Sequence, residues 1–251
     1  MITPTLKQSL TKLRLSGLSS SLDVRLIEAQ TRDLTHIEFL ELLIQDELDI
    51  RNQRSITRQR KSAGFQEPKT LDNFDFSFNT SIKKNLIFEL ATGKFLQNSE
   101  DILLIGPPGV GKSHLAQALG ESVIRMHKTV LYKSIFDLLI ELSTNEQNME
   151  NREKQLKKYL RCDLLIIDDM GIKELPKKAG ETLFEIILRR HQLKSTLMTS
   201  NRPIDEWGKL LADVPAATAI LDRFLSHCHV FQITGNSYRT KNLTCKNNNE
   251  N

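Results

Sequence analysis

A glycine-rich segment that ends in lysine and serine is the part of the sequence best suited to chemistry. Residues 106–113 read Gly-Pro-Pro-Gly-Val-Gly-Lys-Ser, which matches the Walker A pattern GxxxxGK[ST]. Glycines let the backbone curl so that its N–H groups point at a phosphate, and the helix that follows directs its positive end at the same anion. Lys112 would pair with β- and γ-phosphate oxygens, and the Ser113 hydroxyl would ligate Mg²⁺. A glycine-rich turn without a ligand is the disfavoured alternative.

Two adjacent carboxylates end the apolar run at 163–167. Ligands gather at the carboxyl ends of parallel strands, so Asp168 is predicted to hold Mg²⁺, through water. Asp169 is predicted to orient the attacking water, because phosphoryl transfer depends mainly on positioning and charge stabilisation. The alternative is an aspartate pair that caps the next turn. Two carboxylates beside a phosphate loop make that alternative the weaker one.

Three further polar residues are candidates for the γ-phosphate region. Asn201 follows a predicted strand at 195–199, and its competing interpretation is an asparagine in an ordinary strand-exit turn. Arg223 lies on a predicted helix, from which a guanidinium supplied across a subunit boundary would stabilise transition-state charge. From spacing alone a solvated helix arginine is the favoured account of Arg223, and Arg239 is equally ambiguous.

The elements that must position these residues alternate between short apolar strands and helices. Strands are predicted at Asp101–Ile105, 129–132, 163–167, 195–199 and 229–233, and helices at 112–127, 178–192 and 216–228. Continuous apolar strands of this kind indicate an α/β fold with a parallel sheet covered on both faces. The first 67 residues show helical leucine spacing, with no proline between Pro4 and Pro68. We therefore expect a small all-α domain at 1–67, a P-loop domain at 68–240 and a disordered tail at 241–251.

Composition narrows the class of protein. The chain has 251 residues and a formal net charge of +4, a balance that does not by itself establish nucleic-acid binding. No run approaches the roughly 18 apolar residues of a membrane span, and the first residues lack the apolar stretch of a signal peptide. The three cysteines show no CxxC spacing. We expect a cytoplasmic protein without a disulfide or a cysteine-bound metal.

Taken together, these motifs resemble the IstB-like ATPases, the helper proteins of bacterial insertion-sequence transposition. That family stands beside the DnaC-type helicase loaders in the AAA+ superfamily. The most family-specific segment is Thr-Ser-Asn-Arg-Pro at 199–203, followed by Glu-Trp-Gly at 206–208. The resemblance covers almost the whole chain, in segments 13–17, 51–54, 70–76, 106–113, 163–171, 199–203, 206–208, 219–223 and 235–239.

The resemblance implies roles for residues that spacing leaves open. Asn201 looks like sensor 1, Arg223 matches the arginine finger that acts on a neighbouring subunit, and Arg239 is similar to a sensor-2 residue. The pair Asp168 and Asp169 looks like the Asp-Asp of this family, whose second side chain is shorter than the usual Glu and implies slow hydrolysis. The candidate contacts for ATP are Gly106, Pro107, Pro108, Gly109, Val110, Gly111, Lys112, Ser113, His114 and Arg239.

The resemblance also implies that duplex DNA is a partner. Basic residues cluster in two places, and the candidates for phosphate contact are Arg51, Arg54, Arg58, Arg60, Lys61, Lys154, Lys157 and Lys158. Such groups neutralise phosphates and carry little base information, so binding is expected to be largely independent of sequence. A solvated basic face is the alternative for either cluster. Few aromatic residues lie among them, which argues against a base-stacking platform for single strands.

The leading hypothesis is a transposition helper that oligomerises on DNA with ATP and hydrolyses it when a transposase engages. A DnaC-type helicase loader is the runner-up, and the basic run at 51–61 favours DNA over a helicase as the partner of the N-terminal region. A monomeric kinase or GTPase is disfavoured because the guanine motif Asn-Lys-x-Asp does not occur. A nucleotide switch that binds without hydrolysis remains open.

Overall fold

The protein divides into two units in this computed structural model. The structure describes residues 3–65, 67–143, 149–172, 175, 177–211 and 214–240. Most contacts between residues lie within Met1–Arg58 or within Gln59–Asn251, and these two segments are the units. This division lies inside a helix, whereas the sequence predicts a domain boundary near residue 67. The predicted tail at 241–251 is outside the described residues.

The first unit consists of helices that pack through leucines. They are α1 (Pro4–Lys12), α2 (Ser16–Arg32) and α3 (His36–Ala63), the last turn of which belongs to the second unit. Leu10, Leu22 and Leu43 form its core. The buried Glu47 of α3 accepts hydrogen bonds from the first-turn N–H groups of Gly17 at 2.7 Å and Leu18 at 3.0 Å. A carboxylate at a helix N-terminus satisfies free donors and opposes the helix dipole, so Glu47 holds α2 against α3.

The second unit is built on a sheet of five parallel strands. The strands are β1 (Asp101–Ile105), β2 (Val130–Ser134), β3 (Leu164–Met170), β4 (Ser195–Ser200) and β5 (Cys228–Gln232). Their spatial order is β2-β3-β4-β1-β5. The predicted parallel five-stranded sheet is confirmed. The order places β4 between β1 and β3, so that the carboxyl ends of these three strands meet at one place.

Strand β3 is longer than the sequence predicts. The predicted strand stops at residue 167, but β3 continues to Met170 and includes both Asp168 and Asp169. Its pairing with β4 shifts register between Ile167 and Met170, as at a β-bulge. Bulges re-aim side chains next to functional sites. The two carboxylates are therefore placed by an irregular strand end rather than by a turn.

Helices cover the sheet and connect its strands. They are α4 (Lys84–Ala91), α5 (Lys94–Gln97), α6 (Lys112–Arg125), α7 (Ile135–Ser143), α8 (Met149–Arg161), α9 (Lys177–Arg190), α10 (Trp207–Leu210) and α11 (Val214–Leu225). Short 3₁₀ turns lie at Ile204–Glu206 and Tyr238–Thr240. Within the part of the chain that the structure describes, no helix has both the length and the apolar character for a bilayer crossing.

Candidate nucleotide-binding site

The loop between β1 and α6 requires glycine at several positions. Gly109 and Gly111 have φ values of +82° and +104°, in the left-handed region that side chains rarely adopt. A Cβ at Gly106 would lie 2.0 Å from the carbonyl oxygen of Ile233, and one at Gly109 would lie 2.0 Å from Ser237 Oγ. The loop can therefore curl tightly only with glycine at these positions, and α6 begins at its end.

Lys112 lies buried inside this loop. Its ammonium group donates hydrogen bonds to the carbonyl oxygens of Gly106 at 2.7 Å and Pro107 at 2.8 Å. Burial lowers the pKa of Lys112 to about 8, although the charges of Asp168 and Asp169 oppose that shift. Neutral carbonyls compensate an ammonium group less well than an anion does. An anion in the cavity would therefore be a better partner for this ammonium group than the two carbonyls are.

Asp168 is buried and accepts hydrogen bonds from three hydroxyl groups. Ser113 Oγ donates to Oδ1 at 3.0 Å, and Thr199 Oγ1 donates to the same oxygen. Tyr132 Oη donates to Oδ2 at 2.5 Å. The hydroxyl and carboxylate that the sequence assigns to Mg²⁺ are thus in direct contact. A hydroxyl oxygen and a carboxylate oxygen are ligands that Mg²⁺ prefers, so this pair beside a phosphate loop fits the ion.

Asp169 points into the cavity beside the loop. Its φ of 65° is unusual outside glycine, although aspartate tolerates the left-handed region better than most residues. Its backbone N–H donates to Thr199 Oγ1 at 3.1 Å, so one hydroxyl contacts both members of the aspartate pair. Burial, followed by the charge of Asp168, raises the pKa of Asp169, while Arg239 and Lys112 oppose the rise.

The cavity has a volume of about 600 Å³ and brings together most of the predicted site residues. Asn201 and Arg239 line it together with the loop and Asp169. Arg223 does not line it. The Arg223 guanidinium donates to the carbonyl oxygen of Ala219 at 3.1 Å and lies 5.4 Å from the centre of the Phe184 ring. The cavity of one chain is therefore formed without Arg223.

A second wall of the cavity comes from a segment that belongs to none of the predicted site motifs. It consists of Lys69, Asn73, Phe74, Asp75, Phe78 and Asn79. The Phe74 ring packs 5.2 Å from the His114 ring and 4.8 Å from the Phe76 ring. Phenylalanines at 74, 76 and 78 stand out in a chain with only 6% aromatic residues, and that spacing is the signal that could have identified this wall.

Two residues of the segment from Thr234 to Arg239, namely Tyr238 and Arg239, also line the cavity. The backbone N–H of Tyr238 donates to the Gly109 carbonyl at 2.9 Å, and the Tyr238 ring packs 5.0 Å from the Phe78 ring. Ser81 Oγ donates to the Thr234 carbonyl and accepts from the Thr234 N–H, both at 3.1 Å. Residues from both ends of this unit therefore complete the space beside the loop.

The five basic candidates between Arg51 and Lys61 have several different partners. Arg51 donates to Glu47 Oε1 at 2.6 Å, and Arg54 donates to Ser16 Oγ at 2.5 Å. Arg60 forms an ion pair with the buried Glu121. Arg58 and Lys61 are exposed and have no acidic partner among the described residues.

The other three basic candidates, Lys154, Lys157 and Lys158, lie on α8, which also carries glutamates. Lys154 lies 2.8 Å from Glu150, whereas Lys157 and Lys158 lie 3.9 Å from Glu153 and Glu141. These exposed pairs reduce the local positive charge. An interface for nucleic acid on α8 would have to exchange them for phosphate contacts.

Known structures show the class of fold to which the second unit belongs. The DnaC helicase loader superimposes with a TM-score of 0.56 at 22% identity, over 66% of this chain and 96% of that chain. AMPPCP-bound DnaA from Aquifex aeolicus gives a TM-score of 0.58 at 23% identity, over 74% and 56% of the two chains. With the phosphate loop, this likeness shows that the second unit has the AAA+ P-loop fold.

The sequence of the whole chain specifies the family more narrowly. The family described as IstB-like ATP binding protein matches residues 8–245, and the chain belongs to it. A relative from Pseudomonas aeruginosa, named as an ATP-binding protein of insertion sequence IS21, is 36% identical over 92% of this chain and 87% of its own length. A relative from Geobacillus stearothermophilus, named for insertion sequence IS5376, is 37% identical over 85% and 84%. The predicted family is confirmed.

Proposed function

We propose that this protein is an ATP-dependent helper of DNA transposition. It binds ATP with Mg²⁺ in the cavity of its second unit, assembles with other copies on duplex DNA and regulates the transposase of the same element. The observation that carries the ATPase part is the contact of Ser113 with Asp168 beside Lys112 and Asp169. The names of the relatives, which refer to insertion sequences and to ATP, support the transposition part.

The phosphate end of the nucleotide lies against the loop in this proposal. Lys112 leaves the carbonyls of Gly106 and Pro107 and pairs with β- and γ-phosphate oxygens. Ser113 and Asp168 hold Mg²⁺, which neutralises charge on those oxygens when it is bound. The base end lies toward Phe74 and the other residues of the second wall, since apolar and aromatic side chains commonly line such pockets.

Hydrolysis then needs a positioned water and stabilisation of transition-state charge. Asp169 orients the water, and Asn201 contacts the water or the γ-phosphate from the end of β4. Arg223 acts on the cavity of a neighbouring subunit in this proposal, which its match to the arginine finger of the family supports and its position outside the cavity of its own chain allows. This arrangement makes ATP turnover depend on assembly.

Duplex DNA is the surface on which the subunits assemble. Exposed basic residues such as Arg58 and Lys61 contact phosphates, and such contacts depend on salt more than on sequence. Each contact is weak in one subunit. Repetition of the same contacts along an oligomer makes the total binding strong.

The central experiment follows assembly on duplex DNA by sedimentation, with and without ATP and Mg²⁺. We expect large complexes only with both DNA and nucleotide, and none with Lys112→Ala. Transposase and a replicative helicase are then added separately, and ATP turnover is measured. Stimulation of ATP turnover by the helicase alone would establish the loader function instead. Assembly on DNA to the same extent with and without ATP would contradict the proposal.

A further inference from the structure

The hydroxyl group of Tyr132 contacts the carboxylate proposed to hold Mg²⁺. Tyr132 lies in β2, where it pairs in register with Ile166 of β3, two residues before Asp168. Its Oη donates to Asp168 Oδ2 at 2.5 Å, while Ser113 and Thr199 both donate to Oδ1. The two oxygens of the carboxylate therefore have separate sets of partners.

This division of partners fixes the orientation of the carboxylate. The terminal torsion of an aspartate is broad and has no strong preference of its own. Hydrogen bonds from a hydroxyl to an ionised carboxylate are short and directional. Because the phenol of Tyr132 holds Oδ2, the carboxylate presents Oδ1 to the Ser113 hydroxyl, on the side of the phosphate loop.

Tyr132 is itself packed on two sides. The side chain of Gln117, a buried residue one turn after Ser113 in α6, lies beside its hydroxyl. Its ring packs edge-on against Phe65 with centroids 5.8 Å apart. Phe65 in turn needs glycine at position 120, where a Cβ would lie 2.7 Å from Phe65 Cζ.

We propose that Tyr132 is a positioning residue that orients Asp168 for the magnesium ion of the nucleotide complex. The inference rests on the proposed nucleotide site and deepens it, since Tyr132 belongs to neither the glycine-rich loop nor the aspartate pair. Without the phenol, the carboxylate spends less of its time facing Ser113. Binding of Mg²⁺ weakens as a result, whereas contacts between the loop and the phosphates are unchanged.

The test measures binding of a fluorescent, non-hydrolysable ATP analogue to the full chain while Mg²⁺ is titrated. For Tyr132→Phe we expect the Mg²⁺ concentration at half-maximal binding to rise roughly tenfold, the loss typical when a partner that orients a metal ligand is removed. Affinity for the analogue in excess EDTA should equal that of the wild type. A wild-type Mg²⁺ dependence in this variant would overturn the inference.

The matched control is Tyr159→Phe. Tyr159 is buried and donates to Glu141 Oε2 at 2.6 Å, so this change also removes a phenol–carboxylate hydrogen bond, but away from the cavity. It should lower thermal stability and leave the Mg²⁺ dependence unchanged. The same Mg²⁺ shift in Tyr159→Phe would show a general loss of stability and overturn the inference.

A second variant covers the case in which Tyr132→Phe does not fold. Gln117→Met keeps the phenol but removes the amide beside it, so we expect a smaller shift in the same direction. An unchanged Mg²⁺ dependence there would also overturn the inference. Failure of the wild-type protein to bind the analogue at all would count against the proposed nucleotide site rather than against the role of Tyr132.

Discussion

Arg60 and Glu121 form an ion pair in which the carboxylate is almost completely buried. Arg60 Nε donates to Glu121 Oε2 at 2.7 Å, and Arg60 Nη2 donates to Oε1. The Glu121 side chain is 4% exposed, compared with 29% for Arg60. A buried carboxylate that loses its cation keeps the cost of desolvation without the compensating attraction. Arg60 therefore has a structural partner, in addition to its predicted role at a DNA surface.

We expect Arg60→Ala to lower the free energy of unfolding by about 2 kcal/mol. The loss is smaller than for a fully buried pair because Arg125 remains 3.3 Å from the same carboxylate. Arg58→Ala, at an exposed position of the same helix, should change stability by less than about 0.5 kcal/mol. Urea denaturation followed by circular dichroism measures both values. Equal effects of the two substitutions would rule out a special contribution from the pair.

The exposed residues Arg58 and Lys61 are better candidates for phosphate contact. Their double substitution by alanine should weaken duplex binding and reduce the slope of log affinity against log salt by about 2, roughly one unit per phosphate contact. Fluorescence anisotropy at several salt concentrations gives that slope. The double substitution of Lys154 and Lys157 by alanine serves as the comparison for this slope, since both lysines are paired with glutamates. An unaltered slope for Arg58 and Lys61 would exclude them from the interface.

ATP affinity should fall as the pH rises above the pKa of Lys112. That pKa is about 8 in the free protein because of burial, and bound phosphates favour the ammonium form. Binding above pH 8 therefore takes up a proton, and affinity should decrease by up to about tenfold for each further pH unit. Titration calorimetry at several pH values tests this. Lys112→Arg, which stays charged, should show almost no such decrease.

Asp169→Asn should keep nucleotide binding but lower ATP turnover by roughly 10²-fold or more. Asparagine also tolerates the positive φ at this position, so the substitution changes charge with little backbone strain. Steady-state turnover and binding of a non-hydrolysable analogue are measured in parallel. Turnover at the wild-type rate would show that Asp169 does not position the water.

Arg223→Ala should reduce turnover by a factor on the order of 10³, the range found for arginine fingers. Its analogue binding in the monomer should be unaffected because Arg223 is outside the cavity. A mixture of Arg223→Ala and Asp169→Asn subunits should regain part of the activity, since some shared sites then contain both intact residues. No recovery on mixing would argue against action across a subunit boundary.

The strands were predictable from the sequence because each is a continuous apolar run between helices. Strand β1 has the predicted bounds, and the bounds of the other four strands differ from the predicted ones by at most a few residues. The order β2-β3-β4-β1-β5 was not predictable in this way, since no local pattern says which strands become neighbours. The same limit applies to the bulge in β3, which depends on pairing with β4.

The loop and the aspartate pair were recognisable because their chemistry demands particular residues at fixed spacing. Thr199 and Tyr132 were not, because threonine and tyrosine are ordinary strand residues and acquire importance only through contact with Asp168. The wall that contains Phe74 was missed for a similar reason. The spacing of phenylalanines at 74, 76 and 78 indicates an aromatic cluster, but only tertiary packing brings that cluster to the loop.

The reciprocal hydrogen bonds of Ser81 with Thr234 join residues 153 positions apart in the sequence. They hold together the two segments that form the walls of the cavity around the loop. Closing a contact of such long range costs loop entropy, which the packing of the cavity walls has to offset. A chain that stops before residue 234 would keep its whole Walker A sequence but lose this link, together with Tyr238 and Arg239 of the cavity wall. A Walker A motif in a fragment of this chain would thus not be enough to predict nucleotide binding.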